Sequence, residues 1–410
     1  YGGRRSDPRS REPYVGEKGP DRSDTSWPSR LFPETGASNP GDRSPAARPD
    51  ALARQEIGSN RFCTDHRSGY QHEHQDPQRP HGTCITVGNP TGDRRRRELL
   101  LAAYSVPKEA YEKRIIPAFI RQWKQKTGET IQVRSSFAAS GAQARAVVGG
   151  LEADIAALSL ESDLQQLVKA GLVTYDWKQG AQKGIVTTSI VALGVRKGNP
   201  KSIQGWEDLT KPGVEVLYPS PKTSGGAMWD VIAVYGAGLN QGKQKGLAGA
   251  AVDQHAADLV RRVQRNVKVM DKSGRESVTT FERGVGDVIV TYENELLPRI
   301  KQGRPYELIF PAETVVVENP IAVIDRNADR HHVRDLADAF VSFLNGEEAQ
   351  QAFVEFGFRP ANEAVARASA SAFVHPPHVF TIEDLGGWDR VFAALFSPQG
   401  AWTKAVEEAR

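Results

Sequence analysis

From residue 98 onward, short apolar runs alternate with stretches whose apolar residues recur every three to four positions. The runs Leu99–Tyr104, Ile131–Ser135, Ala153–Leu158, Thr188–Val195, Val214–Tyr218, Asp287–Tyr292 and Val315–Ile324 read as strands. The helical spacing covers Pro107–Lys126, Ala142–Val148, Leu164–Ala170, Ala227–Tyr235, Gln254–Arg265, Val278–Arg283, Val333–Leu344 and Ala349–Phe356. Such alternation predicts an α/β fold whose sheets are covered on both faces. No internal repeat is evident.

Residues 1–97 follow neither pattern. They hold 11 of the 25 prolines, with 17 Lys+Arg against 13 Asp+Glu, so this tail carries +4 of the total +3 and the body about −1. It offers too little apolar surface to offset chain entropy and is expected to be disordered. Near-neutral charge on the body argues against nucleic acid as the main partner. The run Arg94–Arg97 reads as a solvated stretch rather than a membrane or nucleic-acid contact. No apolar run approaches the roughly 20 residues that span a bilayer. Leu99–Tyr104 follows the arginines but is too short for the apolar core of a leader, and reads as the first strand. Both cysteines, Cys63 and Cys84, lie in the tail, which leaves the body without a thiol nucleophile or disulfide framework. The tail histidines 66, 72, 74 and 81 beside them match no familiar zinc spacing.

The most informative stretch is Tyr218-Pro219-Ser220-Pro221-Lys222-Thr223-Ser224-Gly225-Gly226-Ala227-Met228-Trp229. A strand runs into a two-proline turn. A hydroxyl then stands beside two glycines where an amphipathic helix begins. Side-chain-free residues there let an anion approach unpaired N–H groups, and the helix dipole adds to the attraction. Three other helix starts follow strands in the same way. Ser140 with Gln143 and Ser273 with Glu276 are capping-box patterns, and Ser105 precedes Pro107. Each alone is an ordinary cap. Four together, at the carboxyl ends of strands, mark where ligands bind in open α/β sheets.

These stretches carry a family resemblance. Ala139-Ser140-Gly141-Ala142-Gln143-Ala144, Val195-Arg196-Lys197-Gly198-Asn199-Pro200, Trp206-Glu207-Asp208-Leu209 and Pro221-Lys222-Thr223-Ser224-Gly225-Gly226-Ala227 occur in the family order. Phe281-Glu282-Arg283-Gly284-Val285-Gly286-Asp287-Val288, Glu293-Asn294-Glu295, Phe358-Arg359-Pro360 and Phe380-Thr381-Ile382 follow. The body resembles the sulfate-binding proteins of sulfate/thiosulfate ABC importers. The resemblance implies a two-lobed periplasmic-binding-protein fold of type II with two hinge crossovers. One lobe would be 98–190 plus 294–375, the other 191–293, with 376–410 packing back on the first. It implies an extracytoplasmic or periplasmic protein, or one at a chloroplast membrane. The partners would be sulfate or thiosulfate and the permease subunits of a membrane transporter. A monomer without cofactor or metal is expected.

The resemblance also implies the ligand set. Ser140 would give a hydroxyl, and Ser224, Gly225 and Gly226 backbone N–H groups. Ser105 stands where the family often has Asp and Gly274 where Ala is usual, both used through main-chain N–H. Tyr292 stands where these proteins usually carry Trp. A phenol is shorter than an indole and donates one hydrogen bond. The set contains donors only, which suits an oxyanion that carries no proton. Hydrogen phosphate needs an acceptor, and no carboxylate is among these residues; Asp230, Glu276 and Glu293 are only near in sequence. Glu276 reads as a capping acid turned back on its own helix, and Arg275 as a support for the anion or lobe contact, or as a solvated side chain. Trp123, Trp206 and Trp229 read as packing aromatics. Two other functions remain as alternatives: a binding protein for molybdate or phosphate, or an enzyme on the same scaffold. An enzyme would need a nucleophile with a base, and Ser140 and Ser224 have none evident, while the five body histidines lie outside these segments.

Overall fold

The computed structural model describes residues 96–409. The expectations for the tail, its cysteines and its histidines fall outside the described residues, apart from its last two positions. Arg97 is not a solvated charge. It donates to Glu129 at 2.7 Å and to Asp335 at 2.7 Å, and its guanidinium lies 5.8 Å from the centre of the Trp123 ring. The tail expected to run to 97 therefore gives way to the fold by that residue.

The strands are β1 (Glu98–Tyr104), β2 (Gln132–Ala138), β3 (Ile155–Ala157), β4 (Ile185–Arg196), β5 (Val216–Leu217), β6 (Val267–Val269), β7 (Val288–Tyr292), β8 (Tyr306–Ile309), β9 (Glu313–Val323), β10 (Arg359–Pro360) and β11 (His378–Phe380). They run in the order β2-β1-β3-β9-β4-β7-β5-β6, with β8 and β10 on β4 and β11 on β9. β1 pairs in parallel with β2 and β3, and β5 with β6 and β7. Each is thus the middle of a three-stranded parallel set. Such strands are buried on both faces and read as near-continuous apolar runs. Leu99, Leu101, Ala102 and Ala103 are fully buried accordingly.

β4 joins the two sets. Residues 185–190 pair with β9, while 191–196 pair with β7 and β8. One strand of 12 residues therefore serves both halves. Two corrections to the expected partition follow. The segment 294–309 had been placed with the first set, but the helix Glu293–Lys301 leads into β8, which pairs with 193–196 of β4. The C-terminal segment had been placed on the first lobe, but it covers the helices of the second. The helix Ala401–Glu408 lies on the helix Ala250–Arg265. Trp402 Nε1 donates to Tyr218 Oη at 2.8 Å, and Trp388 meets Trp229 edge-on at 5.1 Å. The physical reason is the helix Gly225–Gln244. Fifteen of its residues are buried, so it is apolar on every side and needs a second cover.

That helix is also longer than the periodicity suggests. Gly236, Gly238 and Gly242 lie inside it without stopping it, and the first two are points of close approach. A Cβ on Gly236 would lie 2.2 Å from the Phe380 ring, and one on Gly238 2.7 Å from Ala256 Cα.

Candidate functional site

The carboxyl ends of β1, β2, β3, β5, β6 and β7 converge on one small cavity. Its wall holds Tyr104, Ser105 and Val106 after β1, Ser140 after β2 and Ser159 after β3. Across from them stand Pro219, Gly226 and Asp230 after β5, Gly274 after β6, and Thr291 and Tyr292 at the end of β7. Five of the seven expected ligand residues, Ser105, Ser140, Gly226, Gly274 and Tyr292, therefore share one wall. Ser224 and Gly225 stand just beside it, at the start of the same helix as Gly226.

Helix geometry gives the wall its character. Ser224 is the N-cap, and its hydroxyl accepts from Ala227 N at 3.3 Å. Gly225 and Gly226 fill the first turn, where N–H groups have no intrahelical acceptor. Ser273 caps the helix Gly274–Glu282 by accepting from Glu276 N at 3.3 Å. Glu276 Oε2 turns back on its own helix start and accepts at 3.0 Å from Lys272 N, one residue before the cap. Gly274 is the first residue of that helix. Ser105 precedes a longer helical stretch, 108–127, and its carbonyl accepts from Lys108 N at 3.4 Å.

Ser140 departs from expectation. It is the first residue of the helix Ser140–Val148 rather than its cap, and Gln143 Nε2 donates to Ser136 O, so no capping box forms. The Ser140 hydroxyl donates to Asp163 Oδ2 at 2.6 Å and accepts from Ser159 N at 2.9 Å. Burial pushes the Asp163 carboxyl up to about 6, opposed by that serine hydrogen bond and by Arg145. Asp163 carried no signal in the sequence beyond a place in a helical first turn.

Several contacts join the two halves around the cavity. Ser159 Oγ and Tyr292 Oη lie 2.7 Å apart, and Trp229 Nε1 donates to Ser159 O at 2.9 Å. Burial holds the Tyr292 phenol well above its usual range, so it keeps its proton. Arg275 donates to Val106 O at 3.0 Å and to Glu109 Oε1 at 3.1 Å. It ties the helix after β6 to the segment after β1 and is not a solvated side chain. Trp123, Trp206 and Trp229 are all buried packing aromatics.

Two wall residues carry a buried polar atom that no partner satisfies. Tyr104 Oη is buried without a hydrogen-bond partner, and so is Asp230 Oδ1. Asp230 places a carboxyl in the wall, where the sequence suggested donors alone. The buried trio Glu293-Asn294-Glu295 lies outside it. Glu293 pairs with Arg359, Asn294 Oδ1 accepts from Ser189 Oγ at 2.6 Å, and Glu295 pairs with Arg299 at 2.9 Å. Among the described residues no cluster of metal-ligating side chains occurs, and no helix is long and apolar enough to cross a membrane.

The sequence profile of bacterial extracellular solute-binding proteins matches residues 99–359. A sulfate-binding protein of Synechococcus elongatus is 40% identical over 314 residues, 76% of this chain and 87% of that protein. A thiosulfate-binding protein of Escherichia coli is 32% identical over 76% of this chain and 92% of its own length. The solved sulfate-binding protein SubI from Mycobacterium tuberculosis aligns over 74% of this chain and all of its own, at 40% identity and a TM-score of 0.66.

Proposed function

Because the chain belongs to the sulfate- and thiosulfate-binding proteins among the bacterial extracellular solute-binding proteins, we propose that its cavity grips an unprotonated sulfur oxyanion. The fold is the mixed α/β fold of periplasmic binding proteins. The chain is an extracytoplasmic solute-binding component of a sulfate/thiosulfate ABC transporter, a binding protein and not an enzyme.

The observation that carries the ligand reading is the convergence of three helix starts, at Ser140, Gly226 and Gly274, on one cavity. Each start presents N–H groups without intrahelical acceptors and the positive end of a dipole. Hydrogen bonds to a charged acceptor contribute roughly 1.5–3 kcal/mol each. A handful of them holds a dianion without a formal counter-charge. The donors in this reading are the N–H groups of Ser105, Gly225, Gly226 and Gly274, together with Ser140, Ser224 and Tyr292. Ser140 acts through its main-chain N–H while Asp163 holds its hydroxyl proton.

The motion is a hinged clamp. The lobes are 98–190 with about 313–375, and 191–312 with the C-terminal segment. They turn about β4 and the entry to β9. Arg275, Trp229 and Tyr292 latch the closed form, which the permease subunits then meet at the membrane. The protein works as a monomer.

Calorimetric titration of the full chain with sulfate, thiosulfate, molybdate and phosphate tests this reading. Sulfate or thiosulfate is expected to saturate a single site and molybdate and phosphate to compete poorly. Equal competition by phosphate at neutral pH would sink the sulfur-oxyanion reading, and Asp230 is the one residue that favours that outcome. Ser140→Ala is expected to weaken sulfate binding about tenfold, because Ser159 N and Asp163 both lose a partner and the helix start loosens. Unchanged affinity in the same calorimetric assay would show that the hydroxyl bonds to Asp163 and Ser159 N do not position the helix start for the anion.

A further inference from the structure

Asp230 stands one helical turn beyond Gly226, on the wall between two spaces. One is the polar cavity of Ser105, Ser140, Gly274 and Tyr292. The other is an apolar pocket lined by Val231, Val234, Val260, Val263 and Val290. The residue is 3% exposed, and Oδ1 has no hydrogen-bond partner. A buried polar atom without a partner costs about as much as a lost hydrogen bond or more. Asp230 lines the ligand cavity on the same helix face as Gly226, four residues before it, so a bound ligand can supply the missing partner.

We propose that Asp230 is a specificity-determining residue that carries a neutral carboxyl group and donates its proton in a hydrogen bond to the bound anion. This rests on the oxyanion reading above and adds to it the one donor that is itself an acid.

The surroundings set the protonation state. Tyr218 faces Asp230 from the end of β5, Tyr292 from β7 and Gln264 from the helix Ala250–Arg265, with Tyr104 across the cavity from β1. None is cationic. Tyr218 Oη is already committed, accepting from Trp402 and donating to Gln264. No Lys or Arg lines either space. Burial alone holds the Asp230 carboxyl well above the usual carboxylate range. An ionised carboxylate facing a dianion in a water-poor cavity would repel it, and the neutral acid removes that repulsion while supplying an O–H. Sulfate brings no proton at neutral pH, so the protein supplies it. Hydrogen phosphate can accept the same O–H, but its own proton needs an acceptor, and a neutral carboxyl offers only its carbonyl oxygen, a weaker acceptor than a carboxylate.

Binding is then linked to a proton, and the sign follows from the raised folded value. Below the point at which Asp230 ionises in the unliganded protein, affinity is independent of its titration. Above that point each pH unit costs up to about tenfold in affinity, because the anion binds only the protonated form. Asp163, behind Ser140, titrates near 6, so the test is read above about pH 7.

The experiment titrates the full chain with sodium sulfate from about pH 7 to about pH 10, comparing it with Asp230→Asn. The amide keeps the shape and a donor but cannot titrate. The parent is expected to lose affinity as pH rises and to take up a proton on binding, seen as a dependence of the heat on buffer ionisation. Asp230→Asn is expected to bind with a flat profile and no proton uptake. A neutral-carboxyl carbonyl stretch in the infrared spectrum of the sulfate complex should vanish in that variant. Superimposable profiles with no lost carbonyl band would overturn the proposal. So would strong phosphate binding by the parent that Asp230→Asn abolishes, since the group would then accept a proton. If neither protein binds sulfate at any pH, the oxyanion reading fails along with it.

Discussion

Gly225→Asp is expected to abolish sulfate binding, and Gly225→Ala to reduce it by at least about 100-fold, which is about 2.8 kcal/mol. The reason is contact across the cavity rather than backbone freedom. A Cβ on Gly225 would lie 2.1 Å from Leu160 Cδ2 and 3.0 Å from Asp163 Oδ2. Leu160 is fully buried and follows β3, on the opposite side of the cavity. Even a methyl group therefore has to displace the buried Leu160 side chain, which strains the closed approach of the two halves. The aspartate adds a charge beside Asp163 and repels the anion as well. Comparing the two variants separates bulk from charge. Calorimetry reads the affinity, and small-angle scattering in sulfate reads whether the variant stays more extended than the parent. Parental affinity in Gly225→Asp would show that this cavity is not the site.

The second large effect concerns stability. Arg359→Met is expected to cost about 3–5 kcal/mol at neutral pH, because it strands the Glu293 carboxylate. Glu293 is fully buried, and Arg359 meets both of its oxygens, one at 3.0 Å, while also donating to Val374 O at 2.6 Å. Burial raises the Glu293 carboxyl above its usual range, and Arg359 draws it partly back. Without the arginine it rises further. A raised folded value means that the deficit is greatest above it and shrinks as pH falls toward the unfolded value of about 4.3. Urea unfolding of parent and variant at about pH 7 and about pH 5 checks the sign. Adding Glu293→Gln to the variant should recover much of the loss. Equal deficits at both pH values would show that packing against Phe373, 5.0 Å from the guanidinium, matters more than the charge. Because Glu293 follows Tyr292 directly, the pair also steadies the wall of the cavity.

How much of this was legible beforehand depended on the reach of each signal. The strands β1, β3, β4, β5, β7 and β9 were visible because buried strands, parallel or antiparallel, are dense in Val, Ile, Leu and Ala, whereas β2 is less buried and showed through the short apolar run at its start. β6 and β8 were missed because three or four residues with a charge among them make no pattern. The helix Gly225–Gln244 was cut short at Tyr235 because glycine usually counts against a helix, and its packing role appears only when Phe380 and Ala256 are seen against it. The cavity followed from four serine- or glycine-marked helix starts. Asp163 drew no notice and Asp230 was set outside the ligand set, because a helix-borne aspartate looks alike whether it faces water or a neighbouring strand. Their meaning lies in contacts made 23 residues away and across two spaces. The corrected lobe boundaries have the same cause. Pairing of 306–309 with β4, and docking of Trp402 on Tyr218, link positions that no local pattern connects.

The docking of the C-terminal segment bears on the order in which the molecule can be completed. Trp402 and Tyr218 are 184 residues apart, and Phe380 fills the notch at Gly236 from a comparable distance. A chain delivered from its N-terminus keeps one flank of its most apolar helix bare until residues 380–402 arrive. Premature locking of the second half is thereby disfavoured, and the interval in which a holdase could act lasts until Trp402 can reach Tyr218.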